Sequence, residues 1–109
     1  MTLLELIELT NDTFKRFEAI NKRKWGVEAM LAELTSEVGT LADSVMILEG
    51  YRTKRKAQTI DLDDDICDIL FILLYIANYY KIDFESAYLR MLNETNLKLI
   101  NLEKGEGNV

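Results

Sequence analysis

Apolar residues recur along this chain at helical rather than strand spacing, and they divide it into four segments. In the first, Leu3, Leu6, Ile7, Phe14, Phe17 and Ile20 fall at steps near three and four. The pattern Thr2-Leu3-Leu4-Glu5 ahead of them is a capping box, so a helix is predicted over about 2–24. Trp25-Gly26 breaks that segment. A second helix is predicted over 27–49, where Val27, Leu31, Leu34, Val38, Leu41, Val45 and Leu48 alternate steps of four and three, the spacing of a seam against a neighbouring helix. Gly50 suits the position just after its end.

The third segment, predicted over 62–80, has its seam at Leu62, Ile66, Ile69, Leu73, Ile76 and Tyr80. Leu70, Phe71, Leu74 and Ala77 leave it apolar nearly all round, which predicts burial on most sides and, in so short a chain, a subunit interface. Asp83 is a good N-cap for a fourth helix over 84–102, with Phe84, Ala87, Tyr88, Met91, Leu92, Thr95 and Leu99 on its inner face. The expected architecture is all-α, a four-helix bundle-like single domain over 1–103, with 104–109 as a flexible tail.

Composition agrees. The 109 residues include no Pro and only five Gly, and 49% are hydrophobic, which suits a few long helices around one core. The net charge of −6 argues against general nucleic-acid affinity. A lone cysteine, Cys67, excludes an internal disulfide and suits a reducing cytoplasm, and its apolar neighbours predict that it packs in the core. No signal peptide is visible, and the apolar run after Asp68 is too short to span a bilayer, so a cytoplasmic protein without membrane partners is expected. There is no His, which removes Ser-His-Asp and Cys-His catalysis, ordinary zinc sites and carboxylate–histidine di-iron sites. Any metal would be a hard cation held by oxygen.

The acidic residues are arranged more pointedly than composition requires. Asp61, Asp63, Asp64, Asp65 and Asp68 crowd into one helix start. The helix dipole favours acids in a first turn, which accounts for Asp61, Asp63 and Asp64 but hardly for Asp68. One position back from each seam runs a flank stripe: Met30, Glu33, Glu37, Thr40, Ser44 and Ile47 on the second helix, and Asp65, Asp68, Ile72, Tyr75 and Tyr79 on the third. Packed antiparallel, the two helices bring Glu33 and Glu37 opposite Asp65 and Asp68. Four such carboxylates suit Mg²⁺ or Mn²⁺ with a phosphorylated ligand, and an ordinary solvated acidic edge fits the pattern equally well. A calcium loop starting at Asp61 fails, with Ile66 where Gly belongs and Ile72 where Glu belongs. Arg52, Lys54, Arg55 and Lys56 make the second connection basic: a solubilising loop, or one that attracts an anion. Gly39 inside a helix costs about 1 kcal/mol relative to Ala, which close approach of another helix or a ligand would explain.

The segments Glu37-Val38-Gly39-Thr40-Leu41-Ala42-Asp43 and Asp65-Ile66-Cys67-Asp68-Ile69-Leu70 resemble the MazG-like all-α nucleoside triphosphate pyrophosphohydrolases. In that family an E-x-x-E pair on one helix faces an E-x-x-D pair on the next. The likeness takes in Trp25 and Ile82-Asp83-Phe84-Glu85-Ser86-Ala87 and covers about 25–98. It implies a Mg²⁺- or Mn²⁺-dependent enzyme that converts a nucleoside triphosphate to monophosphate and pyrophosphate in nucleotide-pool housecleaning, as a homodimer or homotetramer. Carried over, the metal and catalytic set is Glu37, Asp65 and Asp68. Glu33 stands one turn away, and Thr40 occupies the place of a family Glu, reaching at most a metal-bound water. Arg90 and Lys98 match the family's basic residues, Asn93 and Asn96 its Asn, and Trp25, Tyr75 and Tyr79 are candidates to line a base pocket. The loss of a carboxylate at Thr40 supports an alternative: a catalytically weakened relative that serves as a nucleotide-binding or helical protein-interaction oligomer.

Overall fold

A computed structural model describes residues 1–21 and 25–105 and contains four helices. They are α1 (Leu3–Ile20), α2 (Val27–Leu48), α3 (Leu62–Tyr79) and α4 (Phe84–Glu103), with no strand among the described residues. The all-α class and the number of helices are as predicted. Residues 22–24, the end of the first predicted helix, lie outside the described residues, as does 106–109 of the expected tail.

Local chemistry sets the helix ends. At α1 the Thr2 hydroxyl accepts from the Glu5 amide while the Glu5 carboxylate reaches back to the Thr2 amide, the reciprocal capping box. Asp61 and Asp83 accept from the amides of Asp64 and Ser86, satisfying one free donor at the start of α3 and of α4. Both α2 and α3 stop in Schellman motifs. Gly50 and Lys81 take positive φ of 84° and 56°, and the amides of Tyr51 and Ile82 bond back to Met46 and Ala77. Glycine adopts that conformation freely; lysine does not.

α2 and α3 form an antiparallel pair, and α1 lies along α3. Phe14 anchors α1, its ring 4.2 Å from that of Phe71 and 5.0 Å, edge-on, from that of Tyr75. With Met30, Ile72, Leu74 and Ala77 it makes up the buried apolar core among the described residues. Burying side chains the size of Phe14, Met30, Ile72 and Leu74 contributes about 1.5–3 kcal/mol each. α4 has only marginal contact with the other helices. The radius of gyration is correspondingly 18.1 Å, against about 13 Å for a compact chain of this length.

This packing corrects the register read from the sequence. On α2 the stripe turned inward is the flank stripe, with Met30 and Ser44 buried. Leu31, Val38, Val45 and Leu48 of the predicted seam stay exposed. On α3 Asp65 and Ile72 are buried, whereas Ile66, Leu70, Leu73 and Tyr80 are not. The predicted inner face of α4 is also uncovered at Tyr88, Met91, Leu92 and Leu99. A heptad pattern locates an apolar seam, but nothing in it says that the partner belongs to the same chain. Two further expectations fall with the register. Cys67 is exposed rather than packed in the core. Among the described residues a Cβ added at Gly39 would meet nothing within 4 Å, so no close approach there explains that glycine.

Candidate functional site

Because the acid-bearing stripes face each other, the acids meet. The hydroxyl of Ser44 donates to Asp65 Oδ2 at 2.8 Å, and both residues are buried. Toward the other end of the pair, the Tyr75 hydroxyl donates to the Trp25 carbonyl at 3.1 Å. Between these two ties lies a cavity of about 260 Å³, which α1 closes on its third side. Glu33, Glu37 and Asp68 line it together with Met30, Phe71, Ile72 and Tyr75. Trp25 and α1's Phe14, Phe17, Glu18 and Asn21 complete the wall.

The carboxylates disturb one another. Glu37 is held above its usual range, first by burial and then by its hydrogen bond to Glu33 and by the charges of Asp68, Glu33 and Asp65. Asp68 is also raised, by burial and then by the charges of Asp64, Asp65 and Glu33. Burial, and after it the Glu18 carboxylate, pushes the Tyr75 phenol up. No Lys or Arg lines this cavity among the described residues. In chemistry the donor set fits a hard divalent cation: oxygen ligands on facing helices, each unfavourable as an anion beside the others. Among the described residues, however, no three such side chains converge on one point. Glu37 is turned to Glu33 and Asp65 to Ser44, so binding an ion would mean turning side chains.

Of the residues picked from the sequence, Glu33, Glu37, Asp68, Trp25 and Tyr75 line the cavity, and Asp65 stands behind it. Thr40 is exposed, its hydroxyl donating to the Ser36 carbonyl at 3.2 Å. Tyr79 lies apart, with its ring edge-on to Tyr80. Arg90, Asn93, Asn96 and Lys98 are exposed on α4 and do not reach the cavity of their own chain. The contribution of α1 was missed. Phe14, Phe17, Glu18 and Asn21 fall at i, i+3, i+4 and i+7, one helix face, but that spacing alone does not say what the face meets. The basic loop forms a separate shallow site in which Arg52 and Gln58 both bond the Asp43 carboxylate at 2.8 Å, holding that acid below its usual range.

The fold has a counterpart in a solved structure. The crystal structure of the putative pyrophosphatase YpjD from Bacillus subtilis matches 88% of this chain and 94% of its own, with a TM-score of 0.68 at 26% identity. The chain shares that fold. In sequence it is 34% identical over 71 residues to the uncharacterized protein YpjD of Bacillus subtilis strain 168, a match spanning 64% of each protein. The chain therefore matches less than two thirds of that curated relative's length. No family model matches the chain. Among the described residues, no helix is long and apolar enough to cross a membrane.

Proposed function

We propose that this protein is a pyrophosphohydrolase of the MazG-like type, which cleaves a nucleoside triphosphate to monophosphate and pyrophosphate with Mg²⁺ or Mn²⁺. The observation that carries this is the meeting of Glu33, Glu37 and Asp68 in one aromatic-walled cavity, on a fold shared with a putative pyrophosphatase. Glu37 and Asp68 on facing helices, with Glu33 beside them, would hold the cation, and Asp65, oriented by Ser44, would supply further negative charge from behind. When bound, the cation would neutralise phosphate charge and polarise the phosphoryl oxygens. A water held beside these carboxylates could pass its proton to one of them. Phe71, Trp25 and Tyr75 offer flat faces to a base.

A homo-oligomer belongs to the same proposal. Leu31, Val38, Val45, Ile66 and Leu73 leave an apolar surface on the α2–α3 pair, and among the described residues α4 touches the other helices only marginally. A second copy could cover both, and its α4 could bring Arg90, Asn93, Asn96 and Lys98 toward a neighbouring cavity. Sedimentation at micromolar concentration should give a dimer or larger; a monomer would refute this part.

A second reading, a weakened relative that binds nucleotide without turning it over, draws on Thr40, exposed and bonded to Ser36 where the family has a carboxylate. Pyrophosphate release from a panel of ribo- and deoxyribonucleoside triphosphates with Mg²⁺ or Mn²⁺ separates the two. Turnover abolished by Asp68→Asn supports the enzyme. Mg²⁺-dependent stabilisation by nucleotide without turnover supports the weakened relative, and neither effect would leave a purely structural module.

A further inference from the structure

The cavity has two chemically different ends. Glu37 and Asp68 mark one. Glu18, Asn21 and Tyr75 mark the other, and Asp68 and Tyr75 are separated by two turns of α3, about 10 Å of helical rise. Phe71 and Ile72 lie between Asp68 and Tyr75 on α3, Trp25 is tied to Tyr75, and Phe17, Met30 and Glu33 also line the cavity. A ligand with its phosphates at the carboxylate end would lay a flat ring along the aromatic side chains and present the ring's polar edge to Glu18 and Asn21.

A carboxylate accepts hydrogen bonds and donates none, whereas an amide does both. Glu18 can therefore accept from an exocyclic amine but repels a carbonyl oxygen in the same place. Asn21 can serve either a ring nitrogen or a carbonyl beside it. We propose that Glu18 and Asn21 form a base-reading subsite selective for nucleobases carrying an exocyclic amine, such as cytosine and guanine, over uracil and hypoxanthine. This rests on reading the cavity as a nucleotide site, but not on catalysis. A site built to pair with an N–H loses strongly against an analogue that lacks it. Partial exposure of this end limits the expected preference to about tenfold.

Trp25 is the single tryptophan and lines the cavity, so its fluorescence reports occupancy. The intact protein is titrated with CMP, UMP, GMP and IMP with Mg²⁺ present throughout, and triphosphate hydrolysis is followed separately. CMP should bind about tenfold tighter than UMP, and GMP about tenfold tighter than IMP. Glu18→Gln, which can donate to the uracil carbonyl, should bring the CMP/UMP ratio close to one, and Glu18→Ala should lower both ratios by weakening CMP and GMP. Equal wild-type affinities, or ratios unchanged in both variants, overturn the base-reading subsite. Absence of all binding also overturns it; if triphosphates are nevertheless hydrolysed, the hydrolase reading stands without it. The expected ratios with no hydrolysis of any triphosphate leave the subsite standing and sink the hydrolase reading.

Discussion

Glu37→Gln should make the protein more stable and its site inert. Glu37 has Glu33 one turn before it on α2, and Asp68 and Asp65 act on it from α3. These charges, after burial, hold it above the ordinary 4.5. A carboxyl group raised on folding stabilises the folded state fully below its unfolded pKa. That contribution is lost as pH rises through the folded value, so at neutral pH the Glu37 charge is a net cost. Each like-charge pair is worth a few tenths of a kcal/mol, and with water screening the half-exposed groups the relief on neutralising Glu37 is about 1 kcal/mol. The new amide can also donate to Glu33. For a domain of this size that corresponds to a Tm rise of roughly 4 °C, measurable by circular dichroism at neutral pH and low salt. The gain should shrink as salt screens the partners and vanish in acid, where wild-type Glu37 is already protonated. If the proposed function holds, Mg²⁺ with nucleotide should raise the Tm of the wild type and not that of this variant. A Tm unchanged or lowered at neutral pH, or a gain that persists in high salt and in acid, would refute the account of a charge-frustrated cluster.

Three other substitutions probe separate features. Gly39→Ala should stabilise by about 1 kcal/mol in thermal or urea denaturation, because a helix-interior glycine is replaced with no atom in the way. A destabilisation would show that another molecule comes against Gly39. Lys81→Gly should raise stability by about 1 kcal/mol by removing the side chain from a left-handed backbone, and no gain in urea midpoint would contradict the Schellman geometry. Asn11 Oδ1 is buried without a hydrogen-bond partner, so Asn11→Leu should stabilise by about 1 kcal/mol; a loss of Tm would mean that this oxygen is satisfied in solution.

Helix ends were legible because each depends on local chemistry. Thr2 with Glu5, Asp61, Asp83 and Gly50 carry their instructions within a few residues, and every predicted boundary except the end of α1 falls within one residue of the observed one. Glu33, Glu37 and Asp68 line one cavity, as antiparallel packing of the two flank stripes predicts, although the stripes by themselves fit a solvated acidic edge equally well. Packing register was not legible. α2 and α3 each have more apolar positions than one neighbour can cover, so Val38 and Ile66 look like core by spacing while Met30 and Ile72 are the residues buried. Cys67 was misplaced for the same reason. The α1 wall of the site was hidden because Glu18 and Asn21 owe their position to the Phe14 contact with Phe71 and Tyr75, residues far along the chain.

The clamp at Asp43 bears on how the molecule comes to be folded. Arg52 and Gln58 fasten the connection between α2 and α3 back onto α2, which shortens the stretch of chain left free to wander while the two helices find each other. Contacts between neighbours in sequence form early, and synthesis delivers the N-terminal part first. Glu33, Glu37, Asp65 and Asp68 all lie on that one hairpin, and the α1 wall is made earlier still. The acidic cavity is thus built from the first three helices and their connections, with no α4 residue in its lining.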